Sequence, residues 1–185
     1  MLEELVIFHC SPTMAGMKTG SLFTCPIEEG NLLTENIRQL NSSLVPGGIR
    51  MLPVKYMGCK ALIYMYRPEK LAEDFKDKTA KEILEEKNYP VDHVDRCVVE
   101  LVRRLKGKEE AFPHEIGLFL GYPPKDVAAF MKSSSAGVQY VGTWKVYSDV
   151  ETAKMKFAQY RECTKAYCEA FRRGHTFDRL IVNCS

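Results

Sequence analysis

The sequence predicts an α+β fold, in which a small mixed sheet of about five strands packs against helices. Three observations lead to this prediction. The chain has 185 residues, 45% of them hydrophobic and 27% charged, which is typical of one globular domain spanning residues 1–185. Short apolar segments occur between segments of helical period. The longest helical pattern closes the chain as an amphipathic helix. A three-layer α/β arrangement is the alternative.

The first quarter of the chain contains two predicted strands and one predicted helix. Residues 5–8 are a short apolar run that predicts a buried strand, with His9 and Cys10 at its end. Prolines and glycines then predict a loop, and leucines at three- and four-residue steps predict a helix. The corresponding predictions are a loop over residues 11–20, a strand over 21–25 and a helix over 31–44.

The middle of the chain predicts two further strands and several short helices. The strands cover residues 49–54 and 61–66. Proline at first helical positions and aspartate at N-cap positions mark the helix starts. The predicted helices cover residues 68–75, 78–87 capped by Asp77, 94–105 capped by Asp92, 113–120 and 124–132.

The last part of the chain predicts a strand and the long helix. Residues 138–147 alternate in polarity and predict a strand bent at Gly142. Ser148 and Glu151 form the Ser-x-x-Glu pattern of a capping box at a helix start. Gly174 is placed to end that helix, and a short helix over residues 177–182 follows.

Charge and cysteine usage narrow the function classes. The chain has 26 basic and 24 acidic residues, so its net charge of +2 gives no electrostatic case for nucleic acid or an anionic membrane as partner. No apolar run is long enough to span a membrane. Seven irregularly spaced cysteines without a secretory signal predict a cytoplasmic protein with free thiols.

The first candidate site is the polar segment of residues 9–21. Cys10, at the end of the predicted strand, is placed to act as a nucleophile or a soft metal ligand, and Lys18 could lower its pKa. The cysteine-phosphatase and Walker patterns both fail here. The alternative is that Cys10 is a small buried residue and the glycines only shape a turn. The predicted ligand-binding residues are His9, Ser11, Thr13, Lys18, Thr19, Ser21 and Tyr122.

The second candidate site is the start of the predicted helix at Pro113. A proline at the first helical position puts His114 and Glu115 in the first turn. His114 is a candidate base or metal ligand there, and Glu115 a candidate to orient it. The zinc-protease motif fails because Leu118 stands where its second histidine belongs. Ordinary helix capping is the alternative for both residues.

Together these segments predict a small-molecule site where the loop of residues 9–21 meets the N-terminus of the Pro113 helix. In one hypothesis the site binds haem, a metal or another cofactor, with His9, Cys10 and His114 as ligands. In a second, Cys10 is the nucleophile and His114 the base of a thiol enzyme, with Glu115 also in the catalytic set. In a third, the chain is a protein-interaction module without a ligand. The sequence does not identify the cofactor.

Three long motifs carry a resemblance to a known family. They are His-Cys-Ser-Pro-Thr at residues 9–13 with Gly-x-Lys-Thr-Gly-Ser-Leu-Phe at 16–23, Phe-Pro-His-Glu-Ile-Gly at 112–117 with Phe-Leu-Gly-Tyr-Pro-Pro at 119–124, and Gly-x-Trp-Lys-Val-Tyr at 142–147. They resemble a bacterial family of unknown function, found mainly in anaerobic Gram-positive bacteria. The resemblance implies a bacterial cytoplasmic protein from oxygen-poor settings and transfers no mechanism.

Overall fold

A computed structural model describes residues 2–27, 32–107 and 111–183. Single helical turns of 3-10 type lie at Val45–Gly47 and Phe177–Leu180. The other elements, in chain order, are α1 (Leu2–Met14), β1 (Gly20–Pro26), α2 (Leu33–Leu44), β2 (Arg50–Met57), β3 (Lys60–Tyr66), α3 (Pro68–Asp74), α4 (Lys78–Glu86), α5 (Val94–Lys106), α6 (Ile116–Phe119), α7 (Pro124–Lys132), β4 (Tyr140–Val141), β5 (Lys145–Val146) and α8 (Val150–Arg172).

The strands form two separate sheets. β1, β3 and β2 make a three-stranded sheet in that order, and both pairings are antiparallel. β4 and β5 form a short antiparallel hairpin, because the chain reverses at Gly142 where a bent strand was predicted. The predicted α+β class and the long C-terminal helix are confirmed. The sheet is antiparallel where the sequence predicted a mixed one.

The first element is a helix, so the prediction of a strand over residues 5–8 is wrong. An apolar run of four residues spans about one helical turn, so its length cannot distinguish a helix from a strand. The buried positions Val6, Ile7, Cys10 and Met14 have helical spacing, whereas Phe8 is 60% exposed. Acidic Glu3 and Glu4 in the first turn favour a helix through its dipole. The predicted loop therefore begins only after Met14.

Alternating residues of β3 supply two cores, one on each face of the sheet. Ala61, Ile63 and Met65 pack with α1, α2 and α8, whereas Tyr64 and Tyr66 pack with the helices α3 to α7. This alternation is the period of a strand that is buried on both faces. The buried apolar side chains of α1 thus lie on the opposite face of the sheet from those of α5 and α6.

Helix boundaries follow the predictions where a cap or a breaker is strong. Asp77 caps α4 by accepting the Ala80 backbone N–H, and Gly174 with φ +89° follows the end of α8. Asp149, one residue after the predicted Ser148, caps α8. The prediction of Asp92 as a cap is wrong, because His93 is the N-cap residue of α5 and makes no side-chain cap. α6 begins at Ile116, three residues later than the Pro113 start that was predicted.

The buried Arg67 forms hydrogen bonds with segments that are distant from one another in the sequence. The Arg67 side chain is almost fully buried and donates hydrogen bonds to backbone carbonyls of four separate residues. Two of these carbonyls lie at the C-terminal end of α1, where helical carbonyls lack partners within the helix. The acceptors and their distances are Thr13 at 2.7 Å, Met14 at 2.7 Å, Gly47 at 3.1 Å and Val182 at 2.7 Å.

Candidate ligand-binding groove

Cys10 and the start of α6, which were predicted to form one site, lie on opposite sides of the sheet. Cys10 belongs to the core beneath α1 and α8, whereas Ile116 and its neighbours belong to the core on the other face. Cys10 lines none of the cavities described here, and His114 lines a cavity of its own. The structure therefore does not bring Cys10 and His114 together.

Cys10 is a fully buried thiol on the inner face of α1. Burial raises its pKa to about 12, although the charge of Lys18 and a hydrogen bond with Ser21 act in the opposite direction. The thiol is consequently protonated at neutral pH, and a protonated thiol is neither a good nucleophile nor a metal ligand. The catalytic role assigned to Cys10 stays a prediction without support from its surroundings.

The hydroxyl groups of the first segment serve mainly to hold the segment itself. Ser11 donates back to the carbonyl of Ile7 within α1, and the hydroxyls of Thr13 and Ser21 are hydrogen-bonded to each other at 2.9 Å. Ser11 and Thr13 are fully buried. Of these three predicted ligand-binding residues, only Ser21 lines a cavity described here.

The C-terminal part of the first segment contacts the second segment just after α6. Thr19 donates a hydrogen bond to Asp74, and its side chain lies against Gly121. A Cβ atom added to Gly121 would be 2.7 Å from the Thr19 hydroxyl, so only glycine permits this approach. The predicted meeting of the two segments thus occurs at Gly121–Tyr122, after α6, and not at the Pro113 end.

Lys18 is a buried cation in this junction. It follows the turn at Gly16, where φ is +74°, and its backbone N–H donates to Pro12 at the end of α1. Only 8% of Lys18 is exposed, and its ammonium lies 5.4 Å from the centre of the Tyr122 ring. Within residues 2–27, 32–107 and 111–183, its ammonium makes no hydrogen bond or ion pair. Burial lowers its pKa to about 8.

Lys18 opens onto a groove between α1, α8 and the β4–β5 hairpin, here called the α1–α8 groove. Its volume is about 980 Å³, at the upper end of the range for small-molecule sites. Three predicted residues line it, namely His9, Lys18 and Ser21. The lining residues are Phe8, His9, Pro12, Lys18, Ser21, Tyr140, Val141, Gly142, Thr143, Phe157, Tyr160, Arg161, Thr164, Lys165, Cys168, Glu169 and Arg172.

The α1–α8 groove combines positive charge with aromatic surface. Its basic side chains are Lys18, Arg161, Lys165 and Arg172, whereas Glu169 is its one lining carboxylate and also binds Arg173. Desolvation lowers the pKa of His9, which also lines the groove, below its ordinary value. Its ring stacks on Phe23, with centroids 5.4 Å apart. The groove therefore presents positive charge beside aromatic surface.

The hairpin that closes one end of the groove is fixed by a buried carboxylate. Asp126 of α7 accepts hydrogen bonds from the Trp144 indole at 2.8 Å and from the Tyr147 and Ser148 backbones at 3.0 Å. A Cβ atom on Gly142 would lie 2.2 Å from Phe157, so glycine lets the hairpin tip rest on α8. The aromatic wall of the groove is consequently held in place before any ligand binds.

Glu115 and His114 have different surroundings although they are adjacent. Glu115 is 3% exposed and accepts from the Tyr89 hydroxyl at 2.9 Å and from Arg104 at 3.3 Å. It does not orient His114 through any of these contacts. His114 is exposed, and its ring lies edge-on to Phe130 at 5.2 Å. The prediction that Glu115 orients His114 has no contact to support it.

His114 borders a second, smaller pocket of about 210 Å³ whose walls are almost entirely apolar. Its walls include Phe130, Trp144 and Tyr122. Tyr122, a predicted ligand-binding residue, separates this pocket from Lys18, and burial raises its pKa to about 12. The one acid in these walls, Asp126, is already hydrogen-bonded. The small pocket thus has the shape of a site but little polar chemistry.

The predicted metal ligands are not gathered into one cluster. Among the residues that the structure describes, no group of three His, Cys, Asp or Glu side chains could hold a metal ion. His9 faces the groove, Cys10 the core and His114 the small pocket. Likewise, none of the described helices is long and apolar enough to cross a membrane.

Comparison with known proteins identifies the family. Residues 6–181 match the family described as "Protein of unknown function (DUF3793)". The chain belongs to this family. The three motifs that carried the resemblance lie at the end of α1 with β1, around α6 and in the β4–β5 hairpin, which are the segments that meet around Lys18 and Tyr122. Searches of curated proteins and of solved structures found no match.

The sequence prediction missed the α8 wall of the groove. Arg161, Lys165, Cys168 and Arg172 line it at spacings of four, three and four residues, which is one face of a helix. This spacing is visible in the sequence, where it predicts a polar face of an amphipathic helix. Because α8 is far from Lys18 in the sequence, the sequence did not indicate that this face of α8 and Lys18 line the same groove.

Proposed function

We propose that this DUF3793 protein binds a small organic anion in the α1–α8 groove. The ligand would carry a carboxylate or phosphate and an apolar or aromatic body. The anionic group lies near Lys18 and the basic face of α8, and the body contacts the aromatic side chains Phe8, Tyr140 and Phe157. This proposal keeps the ligand-binding hypothesis and moves its second wall from the Pro113 segment to α8.

The observation that carries the proposal is the burial of Lys18 without an anionic partner. An ion that is taken out of water is strongly disfavoured unless it is paired. Glu115 and Asp126 follow this rule, since each has its hydrogen-bond donors within the protein. Among the residues that the structure describes, the ammonium of Lys18 has no anionic partner; the Tyr122 ring face and the neutral thiol of Cys10 interact with it. An anionic ligand in the groove would supply the missing partner.

The surroundings of Lys18 support a ligand site better than a thiol enzyme. The fully buried Cys10 has its pKa raised to about 12 by burial, and no base faces it across a cavity described here. Lys18, by contrast, lines an open groove of adequate size. The groove also has exposed aromatic surface at its rim, with Phe8 at 60% exposure, as expected for an amphipathic ligand.

The test compares an aromatic anion with its uncharged analogue. Binding of 2-naphthoate and 2-naphthamide is measured by titration calorimetry for the wild-type chain, Lys18→Met and the control Lys81→Met. Lys81 is exposed on α4 and pairs with Glu85, far from the groove lining. We expect the wild type to prefer the carboxylate by about tenfold, which corresponds to roughly 1.4 kcal/mol for a charge-assisted contact.

Lys18→Met should abolish most of that preference, whereas Lys81→Met should preserve it. Because the pKa of Lys18 is lowered to about 8, the preference should also decline as the pH rises above 8 and the ammonium is lost. Equal affinity of the wild type for both probes, or an unchanged preference in Lys18→Met, would contradict the proposal.

A further inference from the structure

We propose that Lys18 is an amine nucleophile that forms an imine with an aldehyde or ketone held in the α1–α8 groove. The inference rests on the proposed function, because the anionic group of the same ligand brings its carbonyl to the lysine. The substrate class is therefore a carbonyl compound that also bears a carboxylate or phosphate.

The position of Lys18 meets the requirements for this chemistry. A lysine that reacts with carbonyls has to be sheltered from water, free of a permanent carboxylate partner and open to a cavity. Lys18 is 8% exposed, lies against the Tyr122 ring at 5.4 Å and lines the groove. The basic side chains of α8 line the same groove and can hold the anionic group while Lys18 attacks.

The reaction is balanced without any oxidant or reductant. The nitrogen lone pair of neutral Lys18 attacks the carbonyl carbon, and a C–N bond forms while the carbonyl oxygen takes up a proton. The resulting carbinolamine loses its C–O bond as water and its N–H proton, which leaves a C=N bond. The Ser21 hydroxyl and the Tyr160 phenol line the groove as candidate proton carriers. The net change is amine plus carbonyl to imine plus water.

Lys18 exists in both protonation states close to neutral pH. Burial lowers its pKa to about 8, so a measurable fraction is the free amine where an ordinary lysine is almost entirely ammonium. The ammonium form attracts the anionic ligand, and loss of its proton creates the nucleophile. A pKa near the working pH is what this combination of roles requires.

The experiment traps the imine and locates it. The full chain is incubated with 4-carboxybenzaldehyde and cyanoborohydride near neutral pH, and peptide mass spectrometry measures the rate of labelling at each lysine. We expect labelling of Lys18 to be about tenfold faster than that of the exposed Lys81, because burial lowers the pKa of Lys18 and so increases its fraction of free amine. Lys18→Arg keeps the positive charge for 2-naphthoate binding but has no nucleophilic amine.

The outcomes separate this inference from the proposed function. If Lys18 is labelled no faster than Lys81 while 2-naphthoate still binds, the imine inference is wrong and the anion site stands. If benzaldehyde labels Lys18 as fast as 4-carboxybenzaldehyde does, the lysine is reactive but the anion site is wrong. Support for both requires fast labelling at Lys18, dependence on the carboxylate and retained 2-naphthoate binding in Lys18→Arg.

Discussion

Lys18 and Glu115 are both buried charges in the two segments that the sequence singled out, yet they have opposite surroundings. Glu115 is 3% exposed and has two donors, Tyr89 and Arg104. Lys18 is 8% exposed and has no acceptor in the described part of the chain. The first charge is paired within the protein, whereas the second is not paired in the described residues. Polar composition alone does not distinguish the two, but the presence or absence of partners does.

The largest effect on stability is expected when Glu115, the buried charge with partners inside the protein, is removed. Glu115→Ala leaves Arg104 and the Tyr89 hydroxyl without one of their buried partners. We expect the free energy of unfolding to decrease by about 3 kcal/mol, measured by urea denaturation. The neighbouring variant His114→Ala, at an exposed position, should change it by less than about 0.5 kcal/mol. Similar decreases in the free energy of unfolding in both variants would contradict the interpretation of Glu115 as a charge that stabilises the fold.

Loss of the Lys18 charge should instead stabilise the folded chain, and this effect should occur within a defined pH window. Its pKa is lowered to about 8 in the folded chain from an ordinary value of 10.5, so between these values the unfolded chain binds more protons. Stability contributed by this group therefore rises with pH across the window, by about 3 kcal/mol in total. Lys18→Met should lack this rise when urea denaturation is repeated across the window.

The difference between the two pH profiles reports Lys18 together with its charge interaction with Cys10, because the other titrating groups are present in both chains. The pKa of Cys10 is raised to about 12, so the thiol makes the folded chain less stable as the pH rises above 9. A Lys18→Met profile parallel to that of the wild type would mean that Lys18 is not desolvated.

The smallest effect is expected at Cys10, which fills space in the core. Cys10→Ala should lower the free energy of unfolding by about 1 kcal/mol, since it removes one buried sulfur atom. It should leave 2-naphthoate affinity unchanged, because Cys10 does not line the groove. In the native wild type, iodoacetamide should label the exposed Cys59 and spare Cys10. Rapid labelling of Cys10 at neutral pH would restore the thiol-enzyme hypothesis.

The sequence was sufficient for those elements whose signals are local. α2, α4, α7 and α8 were predicted within a few residues, because each has a clear apolar period and because a proline or a capping residue also marks the start of α4, α7 and α8. α1 was not, because its core residues are interrupted by Phe8 and His9 on its outer face and by Pro12 in its last turn. A helix that carries polar and aromatic residues on its exposed side has only short apolar runs in its sequence. Such short runs are also typical of a strand.

The candidate site was predicted only in part, for a different physical reason. Lys18, Ser21 and His9 were singled out from the sequence, and all three line the groove; their role in ligand binding stays a prediction. The other wall of the groove lies on α8. Its residues Arg161 and Lys165 come more than 130 residues later in the chain. Packing of α1 against α8 depends on the whole core of that sheet face, and no spacing within either segment encodes it.

The hydrogen bonds of Arg67 have a consequence for the order of folding. They join residue 67 to carbonyls 20, 53, 54 and 115 positions away in the chain. Contacts of such high contact order close large loops, so their entropic cost falls late on the folding pathway. We therefore expect the donors of Arg67 to be satisfied only after α1, the end of β3 and the segment at Val182 have come together.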